Sequence, residues 1–168
     1  MTGSNEFKII KDSIPLGVNL LAVSKGHKHD SIRKLSGYGQ LDFGESRLQE
    51  AILKKIDLSD LTQLRWHFVG TLQKNKVRRV IKEFDFIHSV DSLPLLERIS
   101  RISQEEQKSP NIFLQVKFIE DLNKGGFLKE ELLKSWSKII SLKNINLIGL
   151  MTIPPICLLY TSPSPRDS

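Results

Sequence analysis

"LLAVSKGHKHDSIRKLSGYGQLDFGE", residues 20–45, decides the fold. A mostly apolar run leads straight into Ser24 and Lys25. A helical pattern follows, with Ile32 and Leu35 facing inward and Gly37 or Gly39 as its end. A second short apolar run, "QLDFGE", closes the stretch. Strand, helix and strand in this order make the repeating unit of a parallel sheet. The lysine that ends the first strand costs desolvation unless it reaches water or a partner. It is either a surface residue or an amine held at the mouth of a barrel.

The same rhythm runs on through the chain. "QLDFGE" precedes a helical stripe of Leu48, Ala51, Ile52 and Ile56, with Ser46 and Gln49 at the spacing of a capping box. "RWHFVG" precedes a basic helix, and "DFIHSV" leads into Asp91-Ser92-Leu93-Pro94, a capped start with proline in the first turn. That helix carries Leu95, Leu96, Ile99 and Ile102. After "NIFLQVKF" and a turn at Gly125-Gly126, a long helix places Leu128, Leu132, Trp136, Ile139 and Ile140 on one side. "INLIGLMT" is the sixth strand. Continuous apolar strands with helices between them predict a parallel sheet covered on the outside. "SKGHKHD" has a single glycine and so lacks a Gly-rich dinucleotide turn, which favours a barrel over a doubly wound sheet. The expected fold is α/β: a partial (β/α)8 TIM-type barrel with about six of eight strands, since a complete one takes eight strands and ~250 residues. Residues 1–155 are expected to form this incomplete barrel domain, with two open strand edges. Residues 156–168 are expected to be a non-native tail. The segment from Cys157 resembles translated sequencing-adapter read-through.

Bulk properties narrow the function classes. The 168 residues are 39% hydrophobic and 26% charged, with no apolar run long enough to cross a membrane. The N-terminus lacks a cationic segment followed by an apolar core, so no secretory signal is expected. A lone cysteine, Cys157, cannot form an intrachain disulfide and fits a reducing compartment; cytoplasm is the expected location. The net charge is +6, and residues 74–82 are the densest basic stretch. Val77, Val80, Ile81 and Phe84 make a buried stripe there, leaving Lys74, Arg78 and Lys82 on the solvated face. No aromatic residues interleave with those cations to stack bases, so no nucleic-acid partner is expected. His27 and His29 have no cysteine or carboxylate at ligand spacing, so no zinc site is expected. Ser46 sits in a Gly-x-Ser context without a second glycine and does not make a nucleophile elbow.

Active-site groups of a barrel lie at the C-terminal ends of its strands. Read in order, those ends offer Lys25, Glu45 or Ser46, His67, Ser89 or Asp91, Gln115 or Lys117, and Met151 with Thr152. No carboxylate cluster points to a hard metal ion. A partly desolvated lysine amine is a usable nucleophile toward an aldehyde, which suggests a Schiff base.

"LLAVSK", "LDFGESRLQEA", "WHFVGTLQKNK", "IHSVDS" and "LIGLMTIPP" occur in one order. Together they resemble the pyridoxal phosphate homeostasis protein family (the YggS/PROSC type), over about residues 18–155. The resemblance implies a fold-type III barrel like the N-terminal domain of alanine racemases. It implies pyridoxal 5′-phosphate as cofactor, held as an aldimine at Lys25. Ser46 stands where the family commonly has Asn, and Lys117 where another Asn is expected. His67 would sit near the cofactor ring, or else be a satisfied core histidine. Met151 would line the pocket beside the pyridine. The family's phosphate contacts follow its last two strands, which this sequence does not contain, so weak cofactor binding is expected. The implied function is a carrier or regulator in intracellular cofactor homeostasis without defined turnover. Pyridoxal-phosphate-dependent apoenzymes would be its partners, in a monomer or weak dimer with no membrane association. Tyr38 and Tyr160 offer no convincing second base. One alternative is the barrel domain of an alanine-racemase-like or amino-acid lyase enzyme. Another is an interaction module whose basic helix binds an acidic partner.

Overall fold

The computed structural model describes residues 2–118 and 125–153. Residues through Ile87 form one unit and those from His88 a second, and the division falls inside one strand. The first unit runs α1 (Thr2–Asp12), β1 (Ala22–Val23), α2 (His29–Gly37), β2 (Asp42–Glu45), α3 (Leu48–Asp57), β3 (Arg65–Phe68) and α4 (Val77–Glu83). The strand β4 (Phe86–Val90) spans the division. The second unit adds α5 (Leu93–Glu105), β5 (Asn111–Val116), α6 (Lys129–Ser141) and β6 (Asn146–Thr152). The sheet order is β1-β2-β3-β4-β5-β6, and the pairs β1–β2, β2–β3, β3–β4 and β5–β6 all run parallel. Chain order without reversal is the order of a (β/α) barrel wall. A doubly wound sheet would reverse at its switch point. The tail reading for residues 156–168 lies outside the described residues.

In the first unit, strand parity sorts the side chains. Phe43 pairs with Trp66 and Glu45 with Phe68, so these four share one face, and Glu45 bonds to α3 from it. Phe43, Trp66, Phe68, Ile32, Ala51, Val77, Val80, Ile81 and Phe84 are buried, with Phe68 and Phe84 edge to face at 5.1 Å. The opposite face carries Val23, Gly44, Asp42 and His67. The buried stripe of α4 is the expected one, and Lys74, Arg78 and Lys82 are exposed. The helix α1 was not anticipated; it buries Phe7, whose ring meets Tyr38 at 6.2 Å.

Two expectations for α3 need correction. The helix begins at Leu48 after Arg47 and makes no side-chain cap, so Ser46 and Gln49 do not form a capping box. Its stripe also differs: Ile56 is exposed, whereas Lys54 and Leu58 are buried beside Leu48 and Ala51. A lysine occupies the inward position because Glu45 waits there to receive it.

In the second unit α5 starts after Ser92 with Pro94 in its first turn, as its sequence predicts, but Ser92 Oγ donates to Asp91 rather than capping the helix. Leu95, Leu96, Ile99, Ile112, Leu114, Phe127 and Ile139 are buried. The expected stripe of α6 is only partly covered: Ile139 is buried, while Trp136 and Ile140 are exposed. Together with Ile148 and Leu150 of β6 they leave an apolar face bare among the described residues.

Candidate functional site

The turn that carries Lys25 is built in three layers. Ser24 N–H donates to the Gly44 carbonyl at 2.9 Å, extending the β1–β2 ladder by one residue. His27 N–H donates to the Ser24 carbonyl at 3.0 Å, closing a four-residue turn. Gly26 lies at its third position with φ +77°, the left-handed value that a type II turn demands there. Lys25 therefore occupies the corner of a tight turn at the C-terminal end of β1. Leu21 and Val23, which precede it, flank Gly44 on the face opposite Glu45. The Lys25 side chain is exposed and its ammonium has no hydrogen bond or ion pair among the described residues.

Beneath the turn lies a charge network. Lys54 Nζ donates to Glu45 Oε1 at 2.6 Å, Glu50 Oε1 at 2.6 Å and the Ser24 carbonyl at 2.9 Å. Ser24 Oγ donates to Glu45 Oε1 at 2.7 Å, and Gly26 N–H donates to Glu50 Oε1 at 2.7 Å. Glu45 is fully buried and Lys54 nearly so. The Lys54 hydrogen bond first, then that of Gly26, holds the Glu50 carboxyl below the usual carboxylate range. Glu45 Oε2 is buried without a partner among the described residues. The sequence reading overlooked Lys54. The signal was available, because Glu50 and Lys54 stand at i, i+4 and Lys54 falls on the Leu48–Ala51–Leu58 face.

The other expected site residues fall in different places. Ser46 follows β2 and is half-buried, its carbonyl pressed against Gly70, where an added Cβ would lie 2.2 Å from that oxygen. Gly70→Ala should cost about 1–3 kcal/mol in a urea unfolding titration, because backbone on both sides must shift. His67 lies level with Gly44 on β3. Its Nε2 meets Asp42 Oδ1 at 3.0 Å, and its ring stacks on Phe86 at 4.1 Å. Asp42 is the first residue of β2, and Phe86, the first of β4, lies level with His67. Met151, in the second unit, pairs with Gln115 on the face of Gly149 and Phe113. Lys117 is half-buried just past β5.

Burial pushes the His67 ring below its ordinary pKa, more than Asp42 pulls it up. Burial raises the Asp42 carboxyl, but hydrogen bonds from Arg65 and His67 outweigh it and leave the carboxyl low. His67 is thus neutral in the fold near pH 7. Its contribution to stability is complete above the unfolded value of about 6.5 and declines as the pH falls below it. The melting temperature should drop between pH 7 and 5, and His67→Gln, which can still donate to Asp42, should flatten that drop. Equal slopes would contradict this assignment.

The model of the alanine racemase N-terminal domain family matches residues 4–157. A pyridoxal phosphate homeostasis protein of Synechocystis sp. is 42% identical over 155 residues, 92% of this chain and 70% of its own length. The chain belongs to the pyridoxal phosphate homeostasis protein family. A second member, from Pseudomonas aeruginosa, is 39% identical over 140 residues, 83% of this chain and 60% of its own length. The solved structure of PipY from Synechococcus elongatus with PLP bound is 40% identical and matches with a TM-score of 0.86, over 91% of this chain and 71% of that one. The chain thus spans roughly 60 to 70% of the length of these family members.

Proposed function

We propose that this protein binds pyridoxal 5′-phosphate and takes part in keeping that cofactor available and controlled inside the cell, with Lys25 as its point of covalent attachment. The observation that carries the reading is the Lys25 turn: an accessible amine without a partner among the described residues, fixed at the end of β1 by bonds on both sides. A primary amine so presented fits an aldehyde, and the cofactor, when bound, supplies that aldehyde and an electron-withdrawing ring. The names of the Synechocystis and Pseudomonas relatives, and the PLP-bound PipY structure, support the same ligand. Ser46 and Met151 are proposed as further cofactor-lining residues, while His67 acts as a brace between β2, β3 and the start of β4.

A holding role rather than turnover is the reading we favour. Racemisation needs a second acid or base placed opposite the lysine. Tyr38, the tyrosine among the described residues, has its ring against Phe7 of α1 instead. Handover to apoenzymes and a cytoplasmic location belong to the same proposal. No helix among the described residues is long and apolar enough to cross a membrane. Equilibrium dialysis against pyridoxal phosphate tests the reading, with one saturable site per chain as the expected result. Absence of saturable binding would overturn it. Exchange of the α-hydrogen of L-alanine into deuterated water by the loaded protein would favour the racemase-like alternative.

A further inference from the structure

The Glu45–Lys54–Glu50 network is costly, and the proposed function as stated leaves it without a role. Lys54 is almost fully buried, and one oxygen of the fully buried Glu45 has no partner among the described residues. Apolar residues at the Glu45 and Lys54 positions would stabilise a helix–strand contact as well or better. What the charges accomplish is local. Two of the bonds end on backbone groups flanking Lys25: Lys54 Nζ on the Ser24 carbonyl at 2.9 Å, and Glu50 Oε1 on the Gly26 N–H at 2.7 Å. A third fixes the Ser24 hydroxyl on Glu45 at 2.7 Å. The Ser24 carbonyl also accepts the closing bond of the turn from His27. The three side-chain partners, Glu45, Glu50 and Lys54, lie on β2 or α3, so these two elements set where the turn lies. Charged partners make these stronger than neutral bonds to the backbone.

We propose that Glu50 and Lys54 are positioning residues for Lys25, clamping the residues on either side of it so that its amine is presented in one place to an aldehyde ligand. The inference rests on the reading of Lys25 as the cofactor-binding amine. Both residues bond to the backbone on either side of Lys25 and not to its amine. They act through the backbone of Ser24 and Gly26, lowering the entropy that Lys25 must lose on binding.

Glu50→Ala is the direct test in the full chain, because Glu50 is partly exposed on a helix that tolerates alanine. Two readouts are needed: amide hydrogen exchange at Gly26 in the ligand-free protein, and the rate at which Lys25 is trapped by pyridoxal phosphate with borohydride. The clamp predicts that exchange at Gly26 rises by about tenfold or more, and that trapping slows by a similar factor. Glu50→Gln, whose amide oxygen can still accept the Gly26 N–H, should recover most of both. Lys54→Met, which removes one of the two bonds to the Ser24 carbonyl, should give the same trapping defect. Unchanged exchange and trapping in Glu50→Ala, with label still on Lys25, would overturn the clamp alone. Trapping that survives Lys25→Ala undiminished would overturn the cofactor reading itself, and the clamp's purpose with it.

Discussion

Lys25→Ala is expected to weaken retention of pyridoxal phosphate by about 100-fold or more, the equivalent of at least ~2.7 kcal/mol, while leaving the fold intact. The two halves of this expectation come from the same geometry. The side chain is exposed and bonds to no described residue, so its removal should change stability by no more than about 0.5 kcal/mol. The amine is also the group proposed to take the cofactor, and the lysines nearest it on α3 are engaged elsewhere. Lys54 is consumed by three bonds, and Lys55 is tied to Glu83. Equilibrium dialysis and a thermal melt on the same variant separate the effects. An affinity within threefold of the parent would remove Lys25 from the site.

Lys54→Met should be the most destabilising single change in the first unit. It leaves the carboxylate of Glu45 in a fully buried position with only Ser24 Oγ to compensate it. Breaking a buried pair from one side costs about 3–5 kcal/mol, which lowers the melting temperature by on the order of 10 °C in a chain of this size. The mechanism makes a second, sharper demand. Glu45→Leu combined with Lys54→Met removes both buried charges and fills the space with apolar atoms. The double variant should therefore be more stable than Lys54→Met alone, with a coupling of at least ~1 kcal/mol. Purely additive losses would mean that the network contributes packing and little charge pairing.

Much of the architecture was legible because strands and helices announce themselves by period. Each of the six apolar runs became a strand, and the α4 stripe is the one its spacing predicts. The site was legible only at its tip. "SKG" ends a strand with a lysine before a glycine, and the structure turns that into a corner with Gly26 in the left-handed region. What supports the tip was hidden for physical reasons. A lysine inside a helix reads as solvated, and only a facing carboxylate from another element makes burial tolerable. Glu45 supplies it from β2, nine residues away in sequence. Ser46 misled for a related reason: a serine before a helix suggests a cap, but the extended Arg47 takes the cap position and the helix starts at Leu48. The half-bare stripe of α6 was beyond sequence reading as well, since periodicity marks which face is apolar and not what covers it.

The central claim is that the amine at the end of β1 is the one that takes the cofactor. Reductive trapping followed by peptide mapping tests it most directly, with the full chain incubated with pyridoxal phosphate, reduced with borohydride and digested. The expected result is one dominant pyridoxylated peptide containing Lys25, absent from the Lys25→Ala protein. Label spread over the surface lysines, with the same pattern in the variant, would contradict it.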